Sequence, residues 1–226
     1  MKAVLFDLDG VITDTAIYHY QAWKEMASKL GIEIDEVFNE QLKGVSRMDS
    51  LQLILEKGGL GNRYSESEKV KMADDKNIVY KQMIEKVSPK DLLPGIKELL
   101  KDLKDKGVLL GLASASQNGP VILDRLEVTQ YFNTIVNPAE LRAGKPDPEI
   151  FVKGAQQLGV NPKDCVGVED AAAGVQAING AGMVSVAIGN QTTLAAANIV
   201  VPATEDVSAD LLEKVWSVSV NCNEVF

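Results

Sequence analysis

Lys2-Ala3-Val4-Leu5-Phe6-Asp7-Leu8-Asp9-Gly10 is the stretch on which the fold turns. A short unbroken apolar run that ends in a polar cluster and a glycine predicts a strand covered on both faces, as in parallel sheets. The same pattern returns twice. Val108 to Ala113 runs into Ser114-Ala115-Ser116, and Cys165 to Val168 runs into Glu169-Asp170. If the three runs are parallel strands of one sheet, their carboxyl ends share one edge, where open α/β sheets place their ligands. Four carboxylates, Asp7, Asp9, Glu169 and Asp170, then converge with the hydroxyls of Ser114 and Ser116.

Between the first run and the others the periodicity is helical. Ala22, Trp23, Met26, Ala27 and Leu30 recur at helix spacing until Gly31 breaks the run. Further helix is expected over Phe38 to Leu42, Leu51 to Leu55 and about Glu66 to Val87. The last carries a stripe of Val70, Ala73, Asn77, Tyr80, Ile84 and Val87. From Leu93-Pro94-Gly95 onward helix and strand alternate, with strands expected at 108–113, 134–136, 165–168, 184–188 and 199–200. Helices are expected from Ile96 to Leu103 and near 120–126, 148–158, 172–181 and 206–216. This alternation predicts an α/β protein with a parallel, Rossmann-like core. The core comprises residues 1–14 and 88–226, and an inserted helical cap comprises 15–87. A cap that leaves and re-enters the carboxyl edge sits over the site as a lid. Ser217 to Phe226 lacks periodicity and is expected to fray.

Composition narrows the function classes. The chain has 226 residues and a net charge of −9, with no basic block, which argues against a nucleic-acid partner. No apolar stretch approaches the ~20 residues a membrane span needs, and the N-terminus opens into a strand rather than a signal segment. A cytoplasmic protein is expected. Cys165 and Cys222 are too few and too far apart for a metal or disulfide framework, so one is read as a core thiol and the other as a tail thiol. An acidic chain can still take an anionic ligand. Distant charges are screened beyond roughly 8–10 Å, whereas a charge contact at 4 Å is worth about 4 kcal/mol at an effective dielectric near 20.

Asp7 and Asp9, one residue apart in a chain leaving a strand, suit a division of labour in which one carboxylate attacks and the other handles a proton. Proton transfer by Asp9 at neutral pH calls for a raised pKa. Four clustered anions call for a hard cation with oxygen ligands, Mg²⁺ being the usual choice beside phosphate. Ser114, with N–H groups at the head of a following helix, can orient phosphate oxygens, and Lys145 can supply a point charge.

These residues resemble the motifs of the haloacid dehalogenase superfamily of phosphotransferases: Asp7-Leu8-Asp9-Gly10-Val11-Ile12-Thr13-Asp14-Thr15, the strand ending at Ser114, the Lys145-Pro146 loop and Glu169-Asp170. A closer likeness, to the phosphosugar mutases within it, rests on Leu42-Lys43-Gly44-Val45-Ser46-Arg47, on Ser114-Ala115-Ser116 with Asn118-Gly119-Pro120, and on His19 with Trp23. The resemblance implies Asp7 as the nucleophile that forms an aspartyl-phosphate and Asp9 as the general acid and base. Mg²⁺ would be held by Asp7, the main-chain carbonyl of Asp9 and Asp170, with Glu169 in support. Ser114, Ala115 and Lys145 would hold the transferring phosphoryl group, and Lys43, Gly44, Val45, Ser46 and Arg47 the second phosphate. His19 would position Asp9 and couple lid closure to chemistry. Trp23, Lys76, Asn77, Ser116 and Asn118 would face the sugar. Gln117 departs from the pattern, standing where a basic residue is expected.

The implied reaction is an isomerisation, monomeric and free of other macromolecules. A phosphoryl group passes from Asp7 to β-glucose 1-phosphate, the resulting glucose 1,6-bisphosphate turns around, and glucose 6-phosphate leaves. The alternative is a sugar-phosphate phosphatase of the same superfamily. A third reading, a non-catalytic phosphosugar-binding module, is disfavoured by the intact Asp7 and Asp9, because binding alone needs no nucleophile.

Overall fold

The computed structural model describes residues 1–223, with side chains through residue 220. Strands β1 (Ala3–Phe6), β2 (Leu109–Leu112), β3 (Thr134–Ile135), β4 (Cys165–Glu169), β5 (Val184–Ile188) and β6 (Ile199–Val201) form one sheet of order β3-β2-β1-β4-β5-β6. Every pairing is parallel. The three motif-bearing strands are the adjacent central ones. Phe6 pairs in register with Leu112 on one side and Val168 on the other, so all three chains leave the sheet at one level. The strand order reverses at β1, the switch point at which such sheets open a crevice.

Four helices of the cap follow β1, before a fifth helix leads back into the sheet: α1 (Ala16–Lys29), α2 (Glu36–Asn39), α3 (Arg47–Lys57) and α4 (Glu66–Ile84). They enclose their own apolar cluster, which includes Trp23, Met26, Phe38, Leu51, Ile54 and Leu55. Ser65 and Glu68 start α4 with a reciprocal capping box, satisfying two of the helix's orphan N–H groups. The remaining helices are α5 (Ile96–Asp105), α6 (Gly119–Arg125), α7 (Glu149–Leu158), α8 (Ala172–Gly180) and α9 (Ala209–Asn223).

The pleat explains how β1 is covered on both faces. Val4 and Phe6 point toward a cluster containing Leu100 of α5, Leu123 of α6 and Leu212 of α9. Ala3 and Leu5 point toward Ile150 and Phe151 of α7 and Ile178 of α8. A strand with apolar neighbours on each side has no polar face to alternate, hence the unbroken run in the sequence.

Three expectations change. Val70 is exposed, and the buried face of α4 is Ala73, Lys76, Tyr80 and Ile84, so the stripe is rotated onto a lysine. The helix after β2 begins at Gly119, close to the expected 120–126, so Ser114 lies five residues before it in a loop rather than at its head. The chain does not fray at Ser217: α9 runs on to Asn223, anchored by Trp216, whose Nε1–H donates to the Lys163 carbonyl at 2.9 Å. Once such a turn is fixed, each further residue adds its hydrogen bond at low cost. Cys165 is buried and free, as expected of a core thiol; the side chain of Cys222 lies outside the described residues. Among the described residues no helix is long and apolar enough to cross a membrane.

Candidate active site

Asp7 is the first residue past β1, and its N–H still donates to the Val168 carbonyl at 3.0 Å. The chain then turns sharply, with the N–H groups of Ile12 and Thr13 closing onto the Leu8 carbonyl. Gly10 is required there on two counts: its φ is +72°, and a Cβ would collide with the Asp170 carboxylate. Asp9 is thereby held beside Asp7.

Lys145 enters from the loop between β3 and α7. Its buried ammonium lies 2.6 Å from Asp7 Oδ1 and 2.6 Å from Glu169 Oε1. Burial alone would lower its pKa, but the two carboxylates outweigh burial and hold it above the ordinary lysine value. Glu169 Oε2 accepts the N–H groups of Asp170 and Ala171, each at 2.8 Å, so both of its oxygens are engaged. Burial raises the Glu169 pKa against the pull of Lys145. Asp170 is raised well above the usual carboxylate range, by burial first and then by Glu169 and Asp7.

That imbalance is what a cation would relieve. Asp7, Glu169 and Asp170 bring carboxylate oxygens within 4.8 Å of one another. Lys145 pairs with two of them and leaves Asp170 short of positive charge. An all-oxygen donor set of this kind fits a hard divalent ion.

Asp9 has a separate set of partners. The Thr15 hydroxyl donates to Asp9 Oδ1, and His19 Nε2 lies 3.8 Å from Oδ2. Lys76 Nζ is 2.8 Å from His19 Nδ1. With a lysine as donor, Nδ1 is the acceptor and the ring proton sits on Nε2, facing Asp9. The Tyr80 ring stacks on His19 with centroids 3.9 Å apart, and its hydroxyl donates to Thr15 Oγ1 at 3.3 Å. Lys76 lies 4.6 Å from the Trp23 ring and 4.9 Å from Tyr80. Burial raises the Asp9 pKa to about 7, helped by the charge of Asp7 and opposed by the Thr15 bond. Burial, then Arg47, lowers Lys76 to about 7, with Asp9 opposing. Burial and the cations Lys76 and Arg47 push His19 well below its ordinary value, so the imidazole is neutral.

The cleft between the sheet edge and helices α1, α3 and α4 brings together most of the residues expected from sequence. Asp7, Asp9, His19, Trp23, Lys43, Gly44, Val45, Arg47, Lys76, Asn77, Ser114, Ala115, Ser116, Gln117, Asn118 and Asp170 line it. Lys145 and Glu169 lie beneath its floor. Ser46 is not among the lining residues: its hydroxyl caps α3, bonding to Asp49. The Ser116 N–H is taken by Ser114 Oγ at 3.1 Å. Thr15 and Tyr80 were not singled out by the sequence, although Thr15 ends the first motif and Tyr80 lies on the α4 stripe. Ser50 and Asn39 join the lining with no sequence signal.

Residues 1–182 match the haloacid dehalogenase-like hydrolase family. The chain belongs to this family. It is 48% identical over 216 residues to the β-phosphoglucomutase of Bacillus subtilis, covering 96% of each protein. It is 30% identical over 185 residues to a phosphorylated carbohydrates phosphatase of Thermotoga maritima, covering 81% of this chain and 82% of that one. Among solved structures it is similar to the β-phosphoglucomutase of Clostridium difficile, with a TM-score of 0.96 and 46% identity over 97% of this chain and 99% of that chain.

Proposed function

We propose that this chain interconverts β-D-glucose 1-phosphate and glucose 6-phosphate. The observation that carries the reading is the near full-length likeness to the Bacillus β-phosphoglucomutase. A cleft with acidic chemistry on its floor and Lys43 and Arg47 on its roof agrees with it.

In the mechanism we propose, an Asp7 carboxylate oxygen attacks the phosphorus of a bound glucose 1,6-bisphosphate. The bond from phosphorus to the sugar oxygen breaks, and protonated Asp9 gives its proton to that leaving oxygen. The product departs with the remaining phosphate, or the bisphosphate re-forms in the opposite sense. Asp9, now a carboxylate, then takes a proton from the sugar hydroxyl that attacks the aspartyl-phosphate. One group serves as acid and base because its pKa lies near 7. Lys145 holds the Asp7 carboxylate in place and offers its charge to the phosphoryl oxygens, with Ser114 and Ala115 beside them. Asp7, Asp170 and the Asp9 main-chain carbonyl would hold Mg²⁺, supported by Glu169, and the ion would offset charge on the transferring group. His19, itself held by Lys76, orients Asp9. Helices α1–α4, within residues 15–87, act as a lid over the carboxyl edge of the sheet, keeping water from the aspartyl-phosphate.

The likeness to a carbohydrate phosphatase favours hydrolysis as the second reading. The test is incubation with β-glucose 1-phosphate, Mg²⁺ and catalytic glucose 1,6-bisphosphate. Glucose 6-phosphate is expected; stoichiometric inorganic phosphate in its place decides for the phosphatase.

A further inference from the structure

Arg47 and Gln117 stand on opposite walls of the cleft. Arg47 opens α3, and Gln117 lies in the loop between β2 and α6. Arg47 Nη2 donates to Gln117 Oε1 at 3.3 Å, while Nη1 lies 3.4 Å from Asp74 Oδ1. The next residue repeats the crossing: Asn118 Nδ2 donates to Asn77 Oδ1 of α4 at 2.9 Å. Two consecutive amides thus each hold a different helix of the cap. The Arg47 side chain is only 19% exposed and Asn118 is buried, whereas Gln117 is exposed, so the Arg47–Gln117 contact sits at the solvent-facing mouth of the cleft. The cleft is partly open to solvent and offers about 70 Å³, below the ~300–1,000 Å³ of ordinary ligand pockets. A phosphate that is to pair with this arm of Arg47 must displace Gln117 from it.

We propose that Gln117 is a positioning residue: its neutral amide oxygen holds the Arg47 guanidinium across the closed cleft and yields it when a phosphate oxygen arrives. The proposal rests on the mutase reading above, in which Arg47 receives the second phosphate. The residue type suits the exchange. A charged acceptor binds a guanidinium more strongly than a neutral one, so phosphate displaces an amide. A carboxylate at this position would compete with phosphate, and an ammonium would repel Arg47 and leave the cleft ajar. The exposed Asp74 retains the other arm of the fork. While no sugar is bound, the clasp ties α3 to the β2–α6 loop across the mouth of the cleft, and holding the cap in this position limits loss of the aspartyl-phosphate to water.

The test compares wild type with Gln117→Ala and Gln117→Glu, each required to melt within about 2 °C of wild type so that folding is not in question. Binding of glucose 1,6-bisphosphate is followed by the fluorescence of Trp23, which lines the cleft, and turnover by the ratio of inorganic phosphate to glucose 6-phosphate. Gln117→Glu should weaken bisphosphate binding about tenfold at low salt, with the deficit shrinking as salt rises. Gln117→Ala, which lacks the competing amide, should bind at least as tightly as wild type while raising the phosphate ratio severalfold. Unchanged binding in Gln117→Glu, or an unchanged ratio in Gln117→Ala, overturns the proposal. A wild type that binds the bisphosphate yet forms no glucose 6-phosphate overturns the mutase reading alone, because the binding comparison still stands.

Discussion

Replacing Lys145 by methionine removes the one ammonium that lies 2.6 Å from both Asp7 and Glu169 and leaves the length of the side chain nearly intact. Breaking a buried pair in this way usually costs about 3–5 kcal/mol, since the partner charge is left uncompensated. The same figure follows from proton uptake. The cheapest relief is to protonate Glu169, and keeping a carboxyl with an ordinary pKa of about 4.3 protonated at pH 7 costs about 3.7 kcal/mol. For a chain of this size that is a fall in Tm of about 7–15 °C. The pH dependence is the sharper part. In the variant the folded-state pKa of Glu169 lies further above its unfolded value, so the folded protein binds more protons. Its stability is then fully present below about pH 4.3 and is lost as pH rises through the folded pKa. Melts of both proteins in metal-free buffer at pH 5 and 7.5, followed by circular dichroism, should show a deficit that widens with pH. The double variant Lys145→Met with Glu169→Gln should recover part of it. A deficit under about 2 °C, or one that is the same at both pH values, refutes the charge balance described for this floor.

Asp9→Asn should lower kcat by about 10²–10⁴-fold, the usual worth of a positioned acid and base, while leaving the fold intact by circular dichroism. Thr15→Val removes a hydrogen bond that lowers the Asp9 pKa, so the pH–rate profile should move to higher pH; an unmoved profile removes Asp9 from that role. Lys76 titrates near 7 when folded against about 10.4 when unfolded. The unfolded chain therefore binds more protons between these values, and stability should rise with pH across that window; in Lys76→Met the Tm-versus-pH slope there should flatten. Mg²⁺ at about 100 times its Kd should stabilise the protein by about 2.7 kcal/mol, about 5–11 °C in Tm. Asp170→Asn should abolish most of that gain, and a full gain in Asp170→Asn would show that the ion binds elsewhere.

The central sheet was legible because its strands carry their address at their ends. A strand buried on both faces must be apolar throughout, so the first charged or hydroxylated residue marks the edge, as at Asp7, Ser114 and Glu169. Their adjacency was not legible, because Val184 to Ile188 is also a short run, apolar but for the buried Ser185, and yet lies one place further out, beside β4. The cap was harder to read for a different reason. On α4 a lysine occupies the buried face and a valine faces water, the reverse of what apolar periodicity predicts. Only three-dimensional neighbours make that affordable to the fold: the His19 nitrogen, the faces of Trp23 and Tyr80 and a lowered pKa. Those neighbours come from α1 and from a turn further along α4, and no pattern within a single helix encodes them. Lys76 shows the wider rule. Where a helix buries an ionisable group against its own periodicity, stability alone would have selected an apolar residue, so the position marks function. Lys76→Met separates the two: a gain in Tm at pH 6 accompanied by a loss in kcat/KM confirms that the amine is kept for chemistry, and a loss of both assigns it to packing.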